Sequence, residues 1–296
     1  MLAAEKCNTL YMAMLDYIKN GTVIQMDETT VQVLHEDGRA AQTKSFMCVM
    51  RGGDIQKKLT IFNYSPTRNS GVPLDLLKGF KGFLQTDGYE GYSKAVAEYG
   101  LTHVGCLAHI RRKFFDALKF DKKSKTASHA LKTIARIYSV EKKLRDENLL
   151  PDEFVKKRKD EVVPILLEFK KWLDEKQVYI TPSSNSGKAV NYALGQWNYF
   201  INYLESDELT PDNNIIENAI RPFVIGRKNW LFSNTPRGAR SSAVLYSLVE
   251  SAKDNSLNVY NYLRFLFAKL PYAESSDDIK NLLPCNLTAD TIKITG

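Results

Sequence analysis

Three acidic residues, Asp27, Asp87 and Glu217, each occur in a local setting that would deliver a carboxylate to a shared site. Asp27 interrupts an apolar run rich in β-branched residues, from Thr22 to Thr29, which predicts a buried strand. An ionised carboxylate inside a protein needs a metal ion or a counter-charge, because its desolvation is costly. A cluster of carboxylates that binds a metal ion is therefore the chemistry that this pattern predicts.

Asp87 ends a short predicted strand that starts at Gly82, and it is followed by Gly88, which allows the chain to turn. In α/β folds the ends of strands are where ligands bind. An Asp-Gly pair taken alone is usually only a turn. Asp87 is thus selected by its position in the ordered set of acids and not by its local motif.

Glu217 lies in a predicted helix that begins with Thr210 as a cap and ends at Pro222. Asn213, Glu217 and Arg221 recur every four residues and would share one polar face of that helix. Asp212 is interpreted as a residue at the helix start and not as a metal ligand. The helix is therefore expected to present Glu217 to a polar site.

The distribution of charge favours an anionic partner. The 296 residues carry a net charge of +7, and residues 111–159 hold sixteen Lys and Arg against seven Asp and Glu. Residues 218–249 contain no acid at all, and this segment includes a set of basic residues suited to phosphate: Arg221, Arg227, Lys228, Arg237 and Arg240. DNA or RNA is the partner that these basic segments indicate when they accompany a carboxylate cluster.

Other features exclude some classes of protein. The four cysteines lack the spacing of a disulfide framework, which predicts a reduced, cytoplasmic protein. No stretch approaches 18 consecutive apolar residues, and the N-terminus has no basic region ahead of an apolar one. Membrane insertion and export are therefore not expected.

The order of the predicted elements defines an α/β fold. A helix over residues 3–19 is followed by three strands near residues 23–34, 44–51 and 58–63, and then by alternating helices and strands up to residue 119. Three antiparallel strands followed by two parallel crossovers is the order of a ribonuclease-H-like core, a mixed five-stranded sheet flanked by helices. In that fold the strands of Asp27 and Asp87 are neighbours.

Five segments are predicted along the chain. Residues 1–20 form an N-terminal helix, 21–121 the first part of the core, and 122–209 an all-helical insertion before the last catalytic helix. Residues 210–255 form the last part of the core with that helix, and 256–296 form a C-terminal helical extension. Within the insertion, an aromatic helix face is interpreted as packing inside the protein, with stacking on bases as the less favoured alternative; its residues are Tyr192, Trp197, Tyr199, Phe200 and Tyr203.

A series of motifs resembles the catalytic part of bacterial insertion-sequence-66-type transposases, which belong to the DDE group. The matching segments, which follow the family's order over nearly the whole chain, begin at Met26, Asp87, Gly105, Asp212, Arg221, Tyr246, Tyr262 and Leu282. Family members carry DNA-binding and coiled-coil segments ahead of this part. Since the first of the three candidate catalytic acids is residue 27, the chain is expected to be part of a longer protein, a truncated element or a partner-dependent enzyme.

The resemblance implies cutting and joining of DNA at the ends of an insertion sequence. Asp27, Asp87 and Glu217 would hold two Mg²⁺ ions, for which Mn²⁺ can substitute, roughly 3.5–4 Å apart. Oxygen ligands and a phosphate substrate suit magnesium. The expected partners are the insertion-sequence ends and the target DNA, with a homo-oligomer assembled on the DNA.

Further residues are predicted to support this site. Cys106 and His109 have Cys-x-x-His spacing, but zinc is not expected because a closed zinc site needs four ligands and the chain has no second such pair. A role in orienting the active site or contacting DNA is the better interpretation, and Asn213 joins them as a supporting residue. Trp230 either stacks on a base or packs in the core. The predicted phosphate contacts just beyond His109 are Arg111, Arg112 and Lys113.

Two other functions use the same residues. A ribonuclease-H-like nuclease without strand transfer would need the same three acids, whereas the helical insertion and the acid-free basic segment favour a transposase. An inactive DNA-binding relic of a transposase would retain the basic residues while its acids no longer converge. Intact acids at all three positions argue against such decay.

Overall fold

The computed structural model describes residues 1–293, and the last three residues of the predicted C-terminal extension lie outside the described part. Its chain divides into two compact units. The first unit comprises residues 1–84, 90–102 and 215 onward, and the second comprises residues 85–89 and 103–214. Both are interrupted in sequence, because the chain enters the second unit twice.

A five-stranded sheet has the order β3-β2-β1-β4-β5. The strands are β1 (Val23–Gln32), β2 (Lys44–Asp54), β3 (Lys57–Ser65), β4 (Phe83–Gln85) and β5 (Thr102–Val104). The first three form an antiparallel meander, in which Asp27 pairs with Val49 and Glu28 with Cys48. Residues 82 and 86 bond to residues 102 and 104 in the same direction, so β4 and β5 are parallel. The predicted mixed five-stranded sheet with flanking helices is confirmed.

The first unit also contains helices, some of which pack on the meander. They are α1 (Leu2–Lys6), α2 (Asn8–Lys19), α3 (Gly71–Leu76), α4 (Ser93–Tyr99), α10 (Pro236–Asp254), α11 (Val259–Lys269) and α12 (Ser276–Asn281), together with nearly all of α9 (Asn214–Trp230). The hydroxyl of Ser247 in α10 accepts the backbone N–H of Phe62 on β3 and donates to the carbonyl of the same residue. Ser251 forms the same pair of bonds with Thr60. These bonds satisfy the open edge of the sheet, which would otherwise be free to pair with another chain.

The second unit is built on four helices, α5 (Leu107–Phe120), α6 (Lys125–Arg145), α7 (Pro151–Tyr179) and α8 (Asn185–Phe200). Ser124 caps α6 and Ser184 caps α8 by accepting a backbone N–H three residues on. Trp197, Phe200 and Tyr203 are buried as predicted, whereas Tyr199 is exposed and Tyr192 is half-buried. The aromatic face of α8 therefore has an inner part and an outer part.

The helix of Glu217 differs from its prediction at both ends. It begins at Asn214 and not at Thr210, so Asn213 lies before the helix, where it is buried. The helix also continues through Pro222 to Trp230. A proline removes one intrahelical hydrogen bond and strains the preceding turn. The helix nevertheless continues beyond Pro222, because Phe223 packs in the core. Thr210 and Pro222 are therefore wrong as helix boundaries.

Gly82 sits at the start of β4 in a backbone conformation reserved for glycine, with φ of 132°. A Cβ atom there would collide with the backbone carbonyl of Thr22, just before β1. We expect Gly82→Ala to lower the free energy of unfolding by about 1–3 kcal/mol, because neither backbone can move without breaking the sheet. Urea unfolding measures this change.

Gly195 offers a matched control, since it lies in α8 and a Cβ atom added there would have nothing within 4 Å. Gly195→Ala should be neutral or stabilise the protein by roughly 0.5–1 kcal/mol, because alanine restricts the unfolded chain. Equal effects of the two substitutions would contradict the assignment of Gly82 as a constrained backbone position.

Candidate active site

Asp27 lies in the middle of β1, on the face of the sheet that α9 covers. Side chains of a strand alternate, so Asp27 shares its face with Val31 and Val33. Those valines belong to a core cluster with Ile216 and Ile220 of α9. Glu217 follows Ile216 directly and is half-buried. Within the first unit, β1 and α9 thus carry two of the predicted acids on the same side of the sheet.

Local hydrogen bonds orient the Asp27 carboxylate. Its Oδ1 accepts the backbone N–H of Glu28 at 2.7 Å. A bond to a charged acceptor is stronger than one between neutral groups, which makes this a firm restraint on the side chain. Both Asp27 and Glu217 take part in further interactions within the protein.

Glu28 points to the opposite face of the sheet, as strand alternation predicts, but it is not exposed to solvent. Its side chain is 5 % exposed and forms an ion pair with Arg68. The Tyr92 hydroxyl donates to its other oxygen. Burial raises the pKa of Tyr92 well above its usual range, as does the neighbouring Glu28 charge, so this hydroxyl is a donor. Glu28 therefore fixes β1 on the face opposite Asp27.

Arg227 ties the Glu217 helix to the Asp27 strand. Its guanidinium donates to the carbonyl and hydroxyl of Thr30 and to the Thr29 hydroxyl, the last at 3.1 Å. Beyond the helix, Ser233 pairs with Val33 in a parallel bridge. The sequence places Arg227 among the predicted phosphate contacts and gives no signal for this link. The contacts give it a role in fixing α9 against β1.

We expect Arg227→Gln to lower the free energy of unfolding by about 1–3 kcal/mol, because it leaves half-buried oxygens of β1 without a charged donor. The neighbouring Lys228 is exposed, and Lys228→Gln should change stability by less than about 0.5 kcal/mol. Urea unfolding of both variants tests this contrast. An Arg227→Gln variant as stable as the Lys228 control would show that the link contributes nothing to stability.

Asp87 lies in the second unit, two residues beyond β4, in a loop held by its own side chain. Its Oδ1 accepts the backbone N–H of Tyr89 at 3.0 Å, which is an Asx turn. The preceding Thr86 is buried, and its hydroxyl lies 2.8 Å from Nε2 of His103 on β5. Burial lowers the pKa of His103 to about 4, against the opposing effect of the Asp87 charge. His103 is therefore a neutral ring at neutral pH.

The segment before α9 is bonded to the strand ends of the second unit. Gln85 of β4 donates its side-chain amide to the Thr210 carbonyl at 2.7 Å. Leu107 at the start of α5 donates its N–H to the Pro211 carbonyl at 2.8 Å. Asp212 accepts the backbone N–H of Asn214 at 3.0 Å, consistent with its predicted place at the helix start. These bonds fix the chain leading into the Glu217 helix.

Cys106 takes part in the same set of bonds. Its Sγ accepts the backbone N–H of Asn213 at 3.3 Å, and burial raises the pKa of the thiol to about 12. Cys106 and Asn213 are thus neighbours, and His109 lies half-buried on the first turn of α5.

The remaining predicted site residues are Trp230 and the basic residues. Trp230 is half-buried and packs against the core cluster, with its ring 5.4 Å from that of Phe223. Arg237 pairs with Glu5, and Arg240 lies over the ring of Tyr64. The predicted phosphate contacts that are exposed are Arg111, Arg112, Lys113, Arg221, Lys228, Arg237 and Arg240.

Residues 1–293 contain no group of three or more His, Cys, Asp or Glu side chains arranged to hold a metal ion. Over the same residues, none of the helices combines the length and the apolar character needed to cross a membrane.

Comparison with known proteins identifies a family. The model described as "Transposase IS66 family" matches residues 2–241, and the model described as "IS66 C-terminal element" matches residues 247–285. Together these matches cover nearly the whole chain, in the order that the motifs of the sequence indicate.

Curated relatives are proteins of Sinorhizobium fredii (strain NBRC 101917 / NGR234) that are named as uncharacterized. Protein y4qI is 28% identical over 94% of this chain and 53% of its own length. Proteins y4jD and y4hP are 28% and 25% identical over 77% and 82% of this chain, and over 46% and 47% of their own lengths. The chain thus spans about half the length of the curated relatives it matches.

Among solved structures, a chain of the simian T-cell lymphotropic virus intasome in complex with PP2A regulatory subunit B56 gamma matches 47% of this chain and 47% of its own length. The identity is 13% and the TM-score is 0.24. A TM-score this low carries no argument about fold or function.

Proposed function

The chain belongs to the IS66 family of transposases, and we propose that it is a catalytic portion that cuts and joins DNA with Asp27, Asp87 and Glu217. The observation that carries the proposal lies in the first unit, where β1 and the helix α9 place Asp27 and Glu217 on one side of the sheet. A polynucleotidyl transferase needs carboxylates held on rigid elements, because the reacting phosphate must be positioned accurately.

The sheet supports a ribonuclease-H-like core as the finer description of the fold. Its order, β3-β2-β1-β4-β5, joins an antiparallel meander to a parallel pair. β4 is the neighbour of β1, and Asp87 follows β4 after one intervening residue. In such a core the first two acids belong to adjacent strands, which is the arrangement that the proposal requires.

The donor set fits Mg²⁺, with Mn²⁺ as a substitute, because Asp27, Asp87 and Glu217 supply only carboxylate oxygens. A bound ion of this kind activates the attacking hydroxyl and stabilises the leaving oxygen of a phosphodiester. Since the described residues contain no preassembled group of three ligands, we propose that the set is completed when DNA and metal bind together. Zinc fits less well, because zinc sites are built mainly from Cys and His ligands and the proposed set contains only carboxylates.

Backbone amides next to two of the carboxylates hold them in position. Asp27 is restrained by the Glu28 amide and Asp87 by the Tyr89 amide. Strand transfer exchanges one phosphodiester for another: a 3′-hydroxyl forms a new bond to phosphorus while the bond to the leaving oxygen breaks and that oxygen takes up a proton. No high-energy cofactor is needed for this exchange.

DNA is the proposed substrate and partner, as insertion-sequence ends and as target. The exposed basic residues of α5 and of α9 and α10 supply the phosphate contacts of the two units. Binding should weaken steeply as salt rises, because each phosphate contact releases condensed counterions. We further propose that the chain acts as a homo-oligomer, since two ends of an element must be brought together before joining.

The test is a reaction of the purified chain with a labelled, pre-nicked DNA duplex in Mg²⁺, with Ca²⁺ as a control that permits binding without chemistry. Strand-transfer products in Mg²⁺ support a transposase. Cleavage without joined products supports the alternative of a nuclease. Salt-sensitive binding without any product, even when the additional segments of a longer relative are supplied, supports the inactive relic and contradicts the proposal.

A further inference from the structure

Two residues of α8 lie against the loop that carries Asp87, within the second unit. A Cβ atom added to Gly88 would lie 2.9 Å from the hydroxyl oxygen of Tyr192 and 2.9 Å from the amide carbon of Gln196. Tyr192 and Gln196 are four residues apart and so share one face of α8. The absence of a side chain at Gly88 is what allows both polar groups to approach the backbone beside Asp87.

The surroundings of Tyr192 are positively charged and partly open. Lys113 of α5 is exposed, and its Nζ lies 5.2 Å from the centre of the Tyr192 ring. Arg112 and the Asp87 carboxylate are close enough to influence the Tyr192 hydroxyl electrostatically. Tyr192 and Gln196 are both half-buried, so their polar ends can reach a bound molecule. The group thus combines two neutral hydrogen-bond donors with a cation, next to a predicted catalytic acid.

A phosphate oxygen is the ligand that this chemistry favours. A phenolic hydroxyl and an amide N–H both donate to an anionic oxygen, and bonds to a charged acceptor are the strong ones. Stacking of a base on Tyr192 is disfavoured because Lys113 already occupies a face of the ring, in a cation–π contact.

We propose that Tyr192 and Gln196 form a phosphate-binding subsite of the helical insertion, in which both donate hydrogen bonds to one DNA phosphate adjacent to Asp87. Lys113 supplies the positive charge of the subsite. The inference rests on the proposed DNA substrate. It assigns phosphate binding to α8, in addition to the packing of its aromatic face. Gly88 serves the subsite by keeping the space between α8 and the Asp87 loop free of a side chain.

The test measures equilibrium DNA binding in Ca²⁺, so that it does not depend on catalysis. The probe is a set of short pre-nicked duplexes, each with one neutral methylphosphonate in place of a phosphate near the nick. For the wild-type chain, one position should weaken binding by about tenfold, the effect expected when a charged hydrogen-bond acceptor is lost. Tyr192→Phe should weaken binding to the unmodified duplex by a similar factor and should be insensitive to the methylphosphonate at that position.

A matched control is Tyr179→Phe, because Tyr179 is 86% exposed at the end of α7 in the same unit. It should bind every duplex as the wild type does. Gln196→Ala should lose sensitivity at the same position as Tyr192→Phe, and thermal unfolding should show that all variants fold.

Three results would overturn the subsite. The first is a Tyr192→Phe variant that binds as the wild type does. The second is one that binds weakly but keeps the wild-type methylphosphonate profile, since that pattern reports a structural role. A wild-type chain that fails to bind the duplex at all also contradicts it. By contrast, a chain that shows the Tyr192-dependent position but produces no cleavage or joining in Mg²⁺ contradicts only the proposed catalysis.

Discussion

Replacing Asp87 with Asn is expected to abolish Mg²⁺-dependent cutting and joining of DNA, with a loss on the order of 10³-fold. A metal-bound carboxylate site supplies several kcal/mol of charge stabilisation in the transition state, and each 1.36 kcal/mol corresponds to a tenfold change in rate. Asn retains the shape of the side chain and can still accept the Tyr89 N–H, so the loop should keep its Asx turn. Only the negative charge is removed. Single-turnover cleavage of a pre-nicked duplex measures the change.

The control for this prediction is Glu98→Gln, which removes an exposed carboxylate of α4 and should leave the rate unchanged. DNA affinity measured without a divalent metal ion should be equal to or slightly tighter than that of the wild type in Asp87→Asn, because a negative charge near the phosphates has been removed. A variant that retains more than a tenth of the wild-type rate would contradict a catalytic role for Asp87.

Replacing Arg158 with Met is expected to destabilise the protein more than any surface substitution, by about 3–5 kcal/mol. Arg158 of α7 is fully buried and forms an ion pair with Glu141 at 2.9 Å. Its guanidinium also donates to the carbonyls of Tyr203, Ser206 and Leu209. Without it, the buried Glu141 carboxylate and the carbonyls of Tyr203 and Ser206 lose a charged partner, whereas the Leu209 carbonyl keeps its bond from Arg145. Urea unfolding measures the change.

Two comparisons make this prediction specific. Arg136→Met removes the cation of an exposed pair with Glu168 and should cost at most about 1 kcal/mol. The double variant Arg158→Met with Glu141→Met should recover part of the loss, because the uncompensated buried charge is then absent. An Arg158→Met variant as stable as Arg136→Met would show that the buried pair contributes nothing net.

Arg158 also shows where the sequence is misleading. Residues 111–159 carry a large excess of positive charge, which predicts a basic surface. Yet Arg158 is directed inward, and the guanidinium of Arg145 contacts the Leu209 carbonyl and the ring of Phe154. Nothing in the local sequence distinguishes a buried arginine from an exposed one, because the distinction is made by helices that pack against each other far apart in the chain.

The strands are the most predictable part of the fold. β1 to β3 are defined by β-branched and aromatic runs separated by polar and glycine-containing turns, which are local signals, and their order fixes the meander. Strand alternation also predicts that Glu28 and Asp27 face opposite sides. It does not predict that Glu28 is enclosed by Arg68 and Tyr92, since those partners come from distant segments.

The candidate site is predictable in its acids and less so in the residues around them. The helix of Glu217 starts at Asn214 because Thr210 and Pro211 are bonded to Gln85 and Leu107, and no local pattern reveals such long-range bonds. The sequence pattern favours a packing role for Tyr192 over base stacking and gives no sign of a phosphate contact, because helical spacing alone does not show which way the outer part of an aromatic face points. Whether the three acids act together stays a prediction.

The most direct test of that central claim is iron-mediated cleavage of the polypeptide. Fe²⁺ takes the place of Mg²⁺ at oxygen-ligand sites and, with ascorbate and peroxide, cuts the chain close to its ligands. The chain bound to a pre-nicked duplex should be cut near Asp27, near Asp87 and near Glu217, Mg²⁺ should suppress all three cuts together, and Asp87→Asn should remove all three. Cuts near only one or two of these acids, or cuts that Mg²⁺ does not suppress, would contradict a shared metal site.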